Sequence, residues 1–202
     1  MTLENQNQVA ASWKTGDKSQ FVMAHALDLL TEVGYPGLTM RGIADRCGMS
    51  LSNVQYYYSS KEELITQIAD KYFGECGQIL SDHFKEHGAV LTRDALRDLV
   101  ALFLDHGREM NDMCRVFREL WAIGTRNQKI ATLIDDHYER LGQILGENIK
   151  YPSADSEAVE RMAYMLLVIS EGFSIVGHSQ IMDYQKSLEF FTVNLECVNT
   201  VK

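Results

Sequence analysis

The apolar residues of the chain recur with the period of an α-helix almost everywhere. In the first helical segment the apolar stripe runs from Val22 to Val33 and stops at Gly34. The segment over 156–178 is nearly apolar on all sides, as expected of a helix packed on two faces, whereas 184–199 is amphipathic. No alternating strand pattern occurs along the sequence. The pattern therefore predicts an all-α protein.

Two short helical segments near the N-terminus are separated by a glycine turn. Thr39 can cap the helix MRGIADRC, Gly48 suits the turn that ends it, and Ser50 can cap the helix LSNVQYYY. Ser60 and Glu63 have the spacing of a capping box and open a long following helix. Two short helices joined in this way are typical of a helix-turn-helix.

The second helix of this pair is predicted to have a buried and an exposed side. Val54 and Tyr58, four residues apart, should face inward against the first helix. The outward side chains are those of Leu51, Ser52, Asn53, Gln55, Tyr56 and Tyr57. Serine, asparagine and glutamine can bind base edges, and tyrosine hydroxyls can reach phosphate oxygens. An ordinary exposed helix of a bundle has the same generic pattern, so the pattern alone leaves both interpretations open.

The stretch VMAHALDLLTEVGYPGLTMRGIADRCGMSLSNVQYYYSSKEELI, residues 22–65, resembles the DNA-binding head of the TetR family of bacterial transcriptional regulators. The resemblance lies in an apolar first helix ending in Gly-Tyr, a Thr-capped helix carrying IA, CGMS at the turn, an aromatic-rich recognition helix, and SKEEL. It implies a ligand-responsive regulator, in most members a repressor, that binds a palindromic operator as a dimer and is released by a small effector.

The resemblance also implies which side chains contact double-stranded DNA. Thr39, Arg41, Tyr57 and Lys61 should contact phosphates, helped by helix N-termini whose free N–H groups favour anions. Residues 51–53, 55 and 56 should line the major groove. The candidate DNA-binding residues are Thr39, Arg41, Ser50, Leu51, Ser52, Asn53, Gln55, Tyr56, Tyr57 and Lys61.

Three positions depart from the family's common pattern. Ser52 stands where a glycine or similarly small residue is usual, and Gln55 replaces a common tyrosine. The second departure suggests that Gln55 reads a base, for instance adenine. His25 replaces a usual alanine, and we expect it to be a satisfied, partly exposed side chain.

The helical pattern and the resemblance together predict three parts of the chain. Residues 1–17 are interpreted as a flexible polar arm, 18–61 as the three-helix DNA-binding head, and 62–202 as a larger helical bundle that binds an effector and dimerises. The segment 156–178 has more apolar surface than one protomer needs, and with 184–199 it could form a four-helix interface in a homodimer. Burial of both segments inside one subunit is the alternative.

Ligand pockets are mostly apolar with a few polar groups. The candidate effector-binding residues are aromatic, histidine and apolar positions expected to face inward: Tyr72, Phe103, His106, Phe117, Trp121, His137, Tyr138, Met165, Ile169 and Phe173. As a set they predict a small apolar or aromatic effector whose polar end reaches His106 or His137. Plain core packing is the alternative for each of them.

The net charge of −9 is unusual for a DNA-binding protein, but its distribution is uneven. Residues 1–61 contain as many basic as acidic side chains, so the excess of acidic groups lies entirely in 62–202. An electroneutral head can still present a local positive face, and the acidic remainder opposes unspecific attachment to DNA.

Other classes of protein find little support in the sequence. The start MTLENQNQVAASWK lacks the basic and apolar regions of a signal peptide, and no apolar run is long enough to span a membrane, so we expect a cytoplasmic protein with no membrane partner. The four cysteines are far apart, which predicts reduced thiols. The motifs HExxH, GxSxG and Glu-x-x-His and a glycine-rich phosphate loop are absent, so we expect no catalytic residues, no metal and no cofactor. A DNA-organising, nucleoid-associated protein that needs no ligand remains the main alternative.

Overall fold

The structure is a computed structural model, and it describes residues 17–108, 112–152, 154–177, 179 and 181–198. These residues form nine α-helices, which confirms the predicted all-α class. The helices are α1 Lys18–Gly37, α2 Met40–Cys47, α3 Leu51–Tyr57, α4 Lys61–His87, α5 Arg93–Arg108, α6 Asp112–Gly124, α7 Gln128–Asn148, α8 Ser156–Val176 and α9 Tyr184–Val198. The predicted arm over 1–17 lies, except for Asp17, outside the described residues.

Helix α1 begins at a side-chain cap and is interrupted near its end. The carboxylate of Asp17 accepts hydrogen bonds from the backbone N–H groups of Ser19 and Gln20. Gly34, the predicted end, has non-helical angles, φ 67° and ψ 170°, but helical structure resumes and continues to Gly37. Val33 is 47% exposed, so the predicted apolar stripe does not stay buried to its end, because the chain leaves the helical path at the next residue.

The helix-turn-helix forms with the predicted caps. The hydroxyl of Thr39 accepts from the N–H of Gly42 at 3.0 Å, and that of Ser50 accepts from the N–H of Asn53 at 3.2 Å. Gly48 ends α2 in the left-handed conformation, with φ 62°, which glycine adopts without steric cost. The capping signals therefore define α2 and α3 locally.

The start of α4 differs in one detail from the predicted capping box. The Ser60 hydroxyl accepts from the N–H of Glu63 at 3.1 Å, as expected. The Glu63 carboxylate, however, accepts from the N–H and the hydroxyl of Ser59 rather than from the N–H of Ser60. Ser59 therefore replaces Ser60 as the donor to the Glu63 carboxylate, because the N–H and the hydroxyl of Ser59 both lie within hydrogen-bond distance of it.

The chain divides into two compact units. The first unit contains α1, α2, α3, α4 through Cys76, α6, and α7 through His137. The second unit contains α4 from Gly77, α5, α7 from Tyr138, α8 and α9. The functional division between residues 61 and 62 stays a prediction.

Each unit has its own apolar core. In the first unit α1 packs against α2 and α6, and α2 packs against α3. The buried residues of these helices include Leu30, Ile43, Val54 and Leu120. In the second unit, helices α5, α8 and α9 pack together around a cluster that includes Phe103, Ile169, Phe173, Leu188 and Leu195. None of the helices in the described ranges is both long and apolar enough to cross a membrane.

Candidate functional site

Helix α3 has the two-sided arrangement predicted from its sequence. Val54 is fully buried and Tyr58, its C-cap, is 1% exposed. The Tyr58 hydroxyl donates a hydrogen bond to the carbonyl oxygen of Ser19 in α1 at 3.0 Å, and burial raises the pKa of this phenol. Tyr58, the last of three consecutive tyrosines, therefore attaches α3 to α1.

The opposite side of α3 faces solvent. Ser52, Asn53, Gln55 and Tyr56 are exposed, whereas Leu51 and Tyr57 are half-buried. Tyr56 is 83% exposed, and its ring meets that of Tyr57 edge to face at 5.2 Å. The hydroxyl groups of Ser50 and Ser52 lie 3.0 Å apart. This face presents amide, hydroxyl and phenol groups that can bind base edges and phosphates.

The basic residues of the first unit differ in how they are held. Arg41 is exposed at the start of α2 and has no ion pair within the described ranges. Arg46 forms a bidentate salt bridge with Glu32 of α1, in which Nη1 donates to Oε2 at 2.6 Å and Nη2 donates to Oε1. Its guanidinium is therefore directed towards α1. Arg41 thus remains available to a phosphate, whereas Arg46 is held by a carboxylate.

Lys61, at the start of α4, is held against Tyr35. Its Nζ donates a hydrogen bond to the Tyr35 carbonyl oxygen at 3.2 Å and lies 4.0 Å from the centre of the Tyr35 ring. An ammonium group carries three N–H donors, so donors remain for a further acceptor. Tyr35 is anchored in turn, because its N–H donates to the carboxylate of Glu119 in α6 at 3.2 Å. Sequence reasoning missed both Tyr35 and Glu119, since their contact spans 84 residues.

His25 differs in part from its expectation. It is half-buried and meets Phe21 edge to face at 4.4 Å. Its Nδ1 atom is buried and has no hydrogen-bond partner in the described part of the chain. The prediction that the hydrogen-bonding groups of His25 are satisfied is therefore wrong for Nδ1. Phe21, one turn earlier on α1, packs against the imidazole and offers it no hydrogen-bond acceptor.

An aromatic cluster lies in the first unit, within the region predicted to bind an effector. Phe73 is at its centre, stacked on His137 with ring centres 4.6 Å apart and an interplanar angle of 23°. Phe117 meets Phe73 at 6.1 Å and His137 at 6.4 Å, and Tyr72 meets Phe73 at 5.6 Å. Three predicted residues, Tyr72, Phe117 and His137, are therefore brought together. Phe73 was missed because it is adjacent to Tyr72 and off the apolar stripe chosen for α4.

Trp121 does not face inward as expected. Its side chain is 58% exposed, because Val116, Leu120 and Ile123 form the buried stripe of α6 and Trp121 lies about 100° away from Leu120 around the helix. The side chain of His106 lies outside the described residues.

The other predicted effector residues belong to the second unit. Phe103, Ile169 and Phe173 are buried in its core, and Met165 packs against the same cluster from a half-buried position. Tyr138 is half-buried and hydrogen-bonded to Glu171, and burial raises the pKa of both groups. Glu171 was not anticipated, because a glutamate in a helix ordinarily faces water.

A groove of about 1020 Å³ lies in the second unit between α7 and α8. Tyr138, Tyr151 and Tyr164 line it together with the small residues Gly142 and Gly146. In the described ranges there is no group of three or more histidine, cysteine, aspartate or glutamate side chains arranged to hold a metal ion.

The geometry of α2 and α3 defines the class of protein: a helix-turn-helix protein whose second helix is seated on α1 and exposes hydrogen-bonding side chains. Residues 22–68 match the family model of bacterial regulatory proteins of the tetR family. A relative from Xanthobacter autotrophicus, an uncharacterized HTH-type transcriptional regulator in the dhlA 5′ region, is 37% identical over 165 residues, which cover 81% of this chain and 81% of the relative. The chain belongs to the TetR family of transcriptional regulators.

Solved structures share this fold at low sequence identity. GusR from Salmonella enterica superposes with a TM-score of 0.71 at 19% identity, covering 93% of this chain and 100% of GusR. The multidrug binding protein EbrR, in its complex with malachite green, gives a TM-score of 0.65 at 14% identity and covers 91% of this chain and 98% of EbrR. These similarities confirm a helix-turn-helix head followed by a helical bundle.

Proposed function

We propose that this regulator is a dimeric repressor that binds a palindromic operator through residues 18–61 and is released when a small apolar or aromatic effector binds within 62–202. The DNA-binding part of this proposal rests on the division of α3 into a buried and an exposed side. Tyr58 attaches the end of this helix to α1 through its hydrogen bond to Ser19, and Val54 is buried on the same side. The exposed side chains are those of Ser52, Asn53, Gln55 and Tyr56, which can form hydrogen bonds with DNA.

The candidate DNA-binding residues of α3 and of the starts of α2 and α4 divide by chemistry into two roles. Asn53 and Gln55 carry amide groups, which can form paired hydrogen bonds with adenine in the major groove. Tyr57 presents a hydroxyl and Lys61 an ammonium group, which suit phosphate oxygens. Thr39 and Arg41 add a hydroxyl and a guanidinium at the start of α2, where free backbone N–H groups also favour anions.

Dimerisation is proposed through α8 and α9, over 156–178 and 184–199. Tyr164, Val168 and Ile175 are 70%, 51% and 70% exposed and follow one side of α8, and Phe190 is 51% exposed on α9. Apolar side chains exposed in this number on two consecutive helices indicate a protein interface. A twofold four-helix arrangement would bury both faces against their copies. Residues 178 and 199 lie outside the described part of the chain.

The effector proposal rests on the aromatic side chains of the first unit, where the rings of Phe73 and His137 are stacked and Phe117 lies beside both. The malachite green complex of EbrR supports the expectation that this fold can hold a small molecule.

The DNA part is tested by selecting binding sites from a random duplex library with the full-length protein. The consensus should be palindromic, and binding of the selected duplex is then measured by fluorescence anisotropy. Gln55→Ala should lose discrimination at one base pair of each half-site, by about 1–3 kcal/mol. Gln78→Ala, the same exchange at an exposed position of α4 in the second unit, is the control and should leave the consensus intact. An unchanged consensus for Gln55→Ala would contradict the assignment of Gln55 as a base-reading residue.

The effector part is tested by titrating the protein–duplex complex with compounds that raise the thermal unfolding temperature of the free protein. A bound effector must weaken DNA binding by the same factor by which DNA weakens effector binding. If compounds bind but leave the affinity for DNA unchanged, the proposal of release fails and the ligand-independent, nucleoid-associated function is favoured.

A further inference from the structure

The start of α4 is connected to α6 through the turn that ends α1. Gly34 has a conformation, φ 67° and ψ 170°, that only glycine adopts readily. This conformation turns the next N–H out of the helical path, and the N–H of Tyr35 donates to Oε2 of Glu119 at 3.2 Å. The turn is therefore held from α6 by a charged acceptor, and hydrogen bonds to charged groups are stronger than those between neutral ones.

The same residue, Tyr35, determines where the Lys61 ammonium group lies. Its carbonyl oxygen accepts from Lys61 Nζ at 3.2 Å, and its ring lies under the ammonium at 4.0 Å. The Tyr35 hydroxyl reaches Oε1 of Glu62 at 3.5 Å, so the ring is positioned at its far end as well. A lysine side chain ordinarily samples many rotamers, and these contacts restrict Lys61 to one region.

We propose that Glu119 is a positioning residue for DNA binding: by holding the Tyr35 N–H it fixes the Tyr35 carbonyl and ring, and these place the Lys61 ammonium for a phosphate contact. The inference rests on the proposed contact between Lys61 and a phosphate. Glu119 itself touches no DNA in this scheme. Phe117, two residues earlier on α6, belongs to the aromatic cluster around Phe73, so movement of α6 would alter both the cluster and the acceptor of the Tyr35 N–H.

Electrostatic repulsion alone predicts that loss of the Glu119 carboxylate strengthens DNA binding, whereas the positioning role predicts that it weakens binding. Removing a negative charge from a DNA-binding protein reduces repulsion from phosphates and favours binding. Loss of positioning instead weakens binding, because Lys61 must then be ordered when DNA binds. The direction of the change in affinity therefore separates the two effects.

The test uses full-length protein, a duplex selected from a random library, and dissociation constants measured over a series of salt concentrations. Lys61→Met should weaken binding and lower the slope of log Kd against log salt by about one. Glu119→Ala should weaken binding by about three- to tenfold and also reduce the slope, because the phosphate contact of Lys61 is lost or loosened. Added to Lys61→Met, Glu119→Ala should cause no further loss.

Glu119→Gln is the matched control, since it removes the charge but keeps an oxygen that can accept from the Tyr35 N–H. It should bind DNA at least as tightly as the unchanged protein. The positioning role is overturned if Glu119→Ala leaves affinity and slope unchanged, or weakens binding equally with and without Lys61. If Lys61→Met itself leaves the slope unchanged, the phosphate contact is wrong and the positioning role falls with it. Urea unfolding of each variant, measured by circular dichroism, identifies a loss of affinity that comes from unfolding.

Discussion

Gly34→Ala should destabilise the protein because of backbone strain at this one position. Gly34 has φ 67° and ψ 170°, a region that is essentially restricted to glycine. An added Cβ would lie 3.6 Å from Glu119 Oε2 and 3.7 Å from Pro36 Cδ, which are ordinary contact distances, so no clash contributes. The cost is therefore that of the backbone conformation, about 1–3 kcal/mol. At 25 °C this corresponds to about a 5- to 150-fold change in the unfolding equilibrium.

The measurement is equilibrium unfolding in urea, followed by far-ultraviolet circular dichroism. Protomer concentration is held fixed, because the proposed dimerisation would make the apparent stability depend on it. Gly74→Ala is the control: Gly74 lies inside α4 with nothing within 4 Å of an added Cβ, so alanine should stabilise that helix by about 0.5–1 kcal/mol. If Gly34→Ala proved as stable as the unchanged protein while Gly74→Ala behaved as expected, the strained turn at Gly34 would be refuted.

Three further predictions address the interface, a buried carboxyl group and the seating of α3. Tyr164 is 70% exposed on α8, and Tyr164→Asp should weaken the proposed dimerisation by about 100-fold or more because the interface would then bury an unpaired charge. Sedimentation velocity of this variant at micromolar concentration should show monomers. Burial raises the pKa of Glu171, so the folded state binds its proton more readily than the unfolded chain, and this group lowers stability as pH rises towards neutrality. Glu171→Gln should accordingly increase the urea midpoint at about pH 7 and lose that advantage at about pH 4, and an equal gain at both values would exclude titration of this group. Tyr58→Phe removes a hydrogen bond from α3 to a backbone carbonyl of α1 and should cost about 0.5–1.5 kcal/mol in urea unfolding, whereas Tyr56→Phe, at an 83% exposed ring, should cost nothing measurable.

The sequence by itself determined the parts of this protein that depend on neighbours along the chain. The caps at Thr39 and Ser50 and the left-handed glycine at Gly48 act within a few residues, so the starts of α2 and α3 and the end of α2 could be predicted. The predicted helix LSNVQYYY is one residue too long, because Tyr58 is already extended. The spacing of Val54 and Tyr58 identified the buried side of α3, because four residues bring two side chains to one side of a helix.

Tertiary structure decided the features that depend on residues far apart in the sequence. Trp121 lies outside because three other residues of α6 already fill its buried stripe, and Phe73 becomes the centre of an aromatic cluster because α6 and α7 supply its neighbours. Glu119 and Glu171 have polar partners on other helices, and sequence spacing contains no signal for such pairs. Helical periodicity specifies which way a side chain points from its own axis, and only the packing of helices specifies what it meets there.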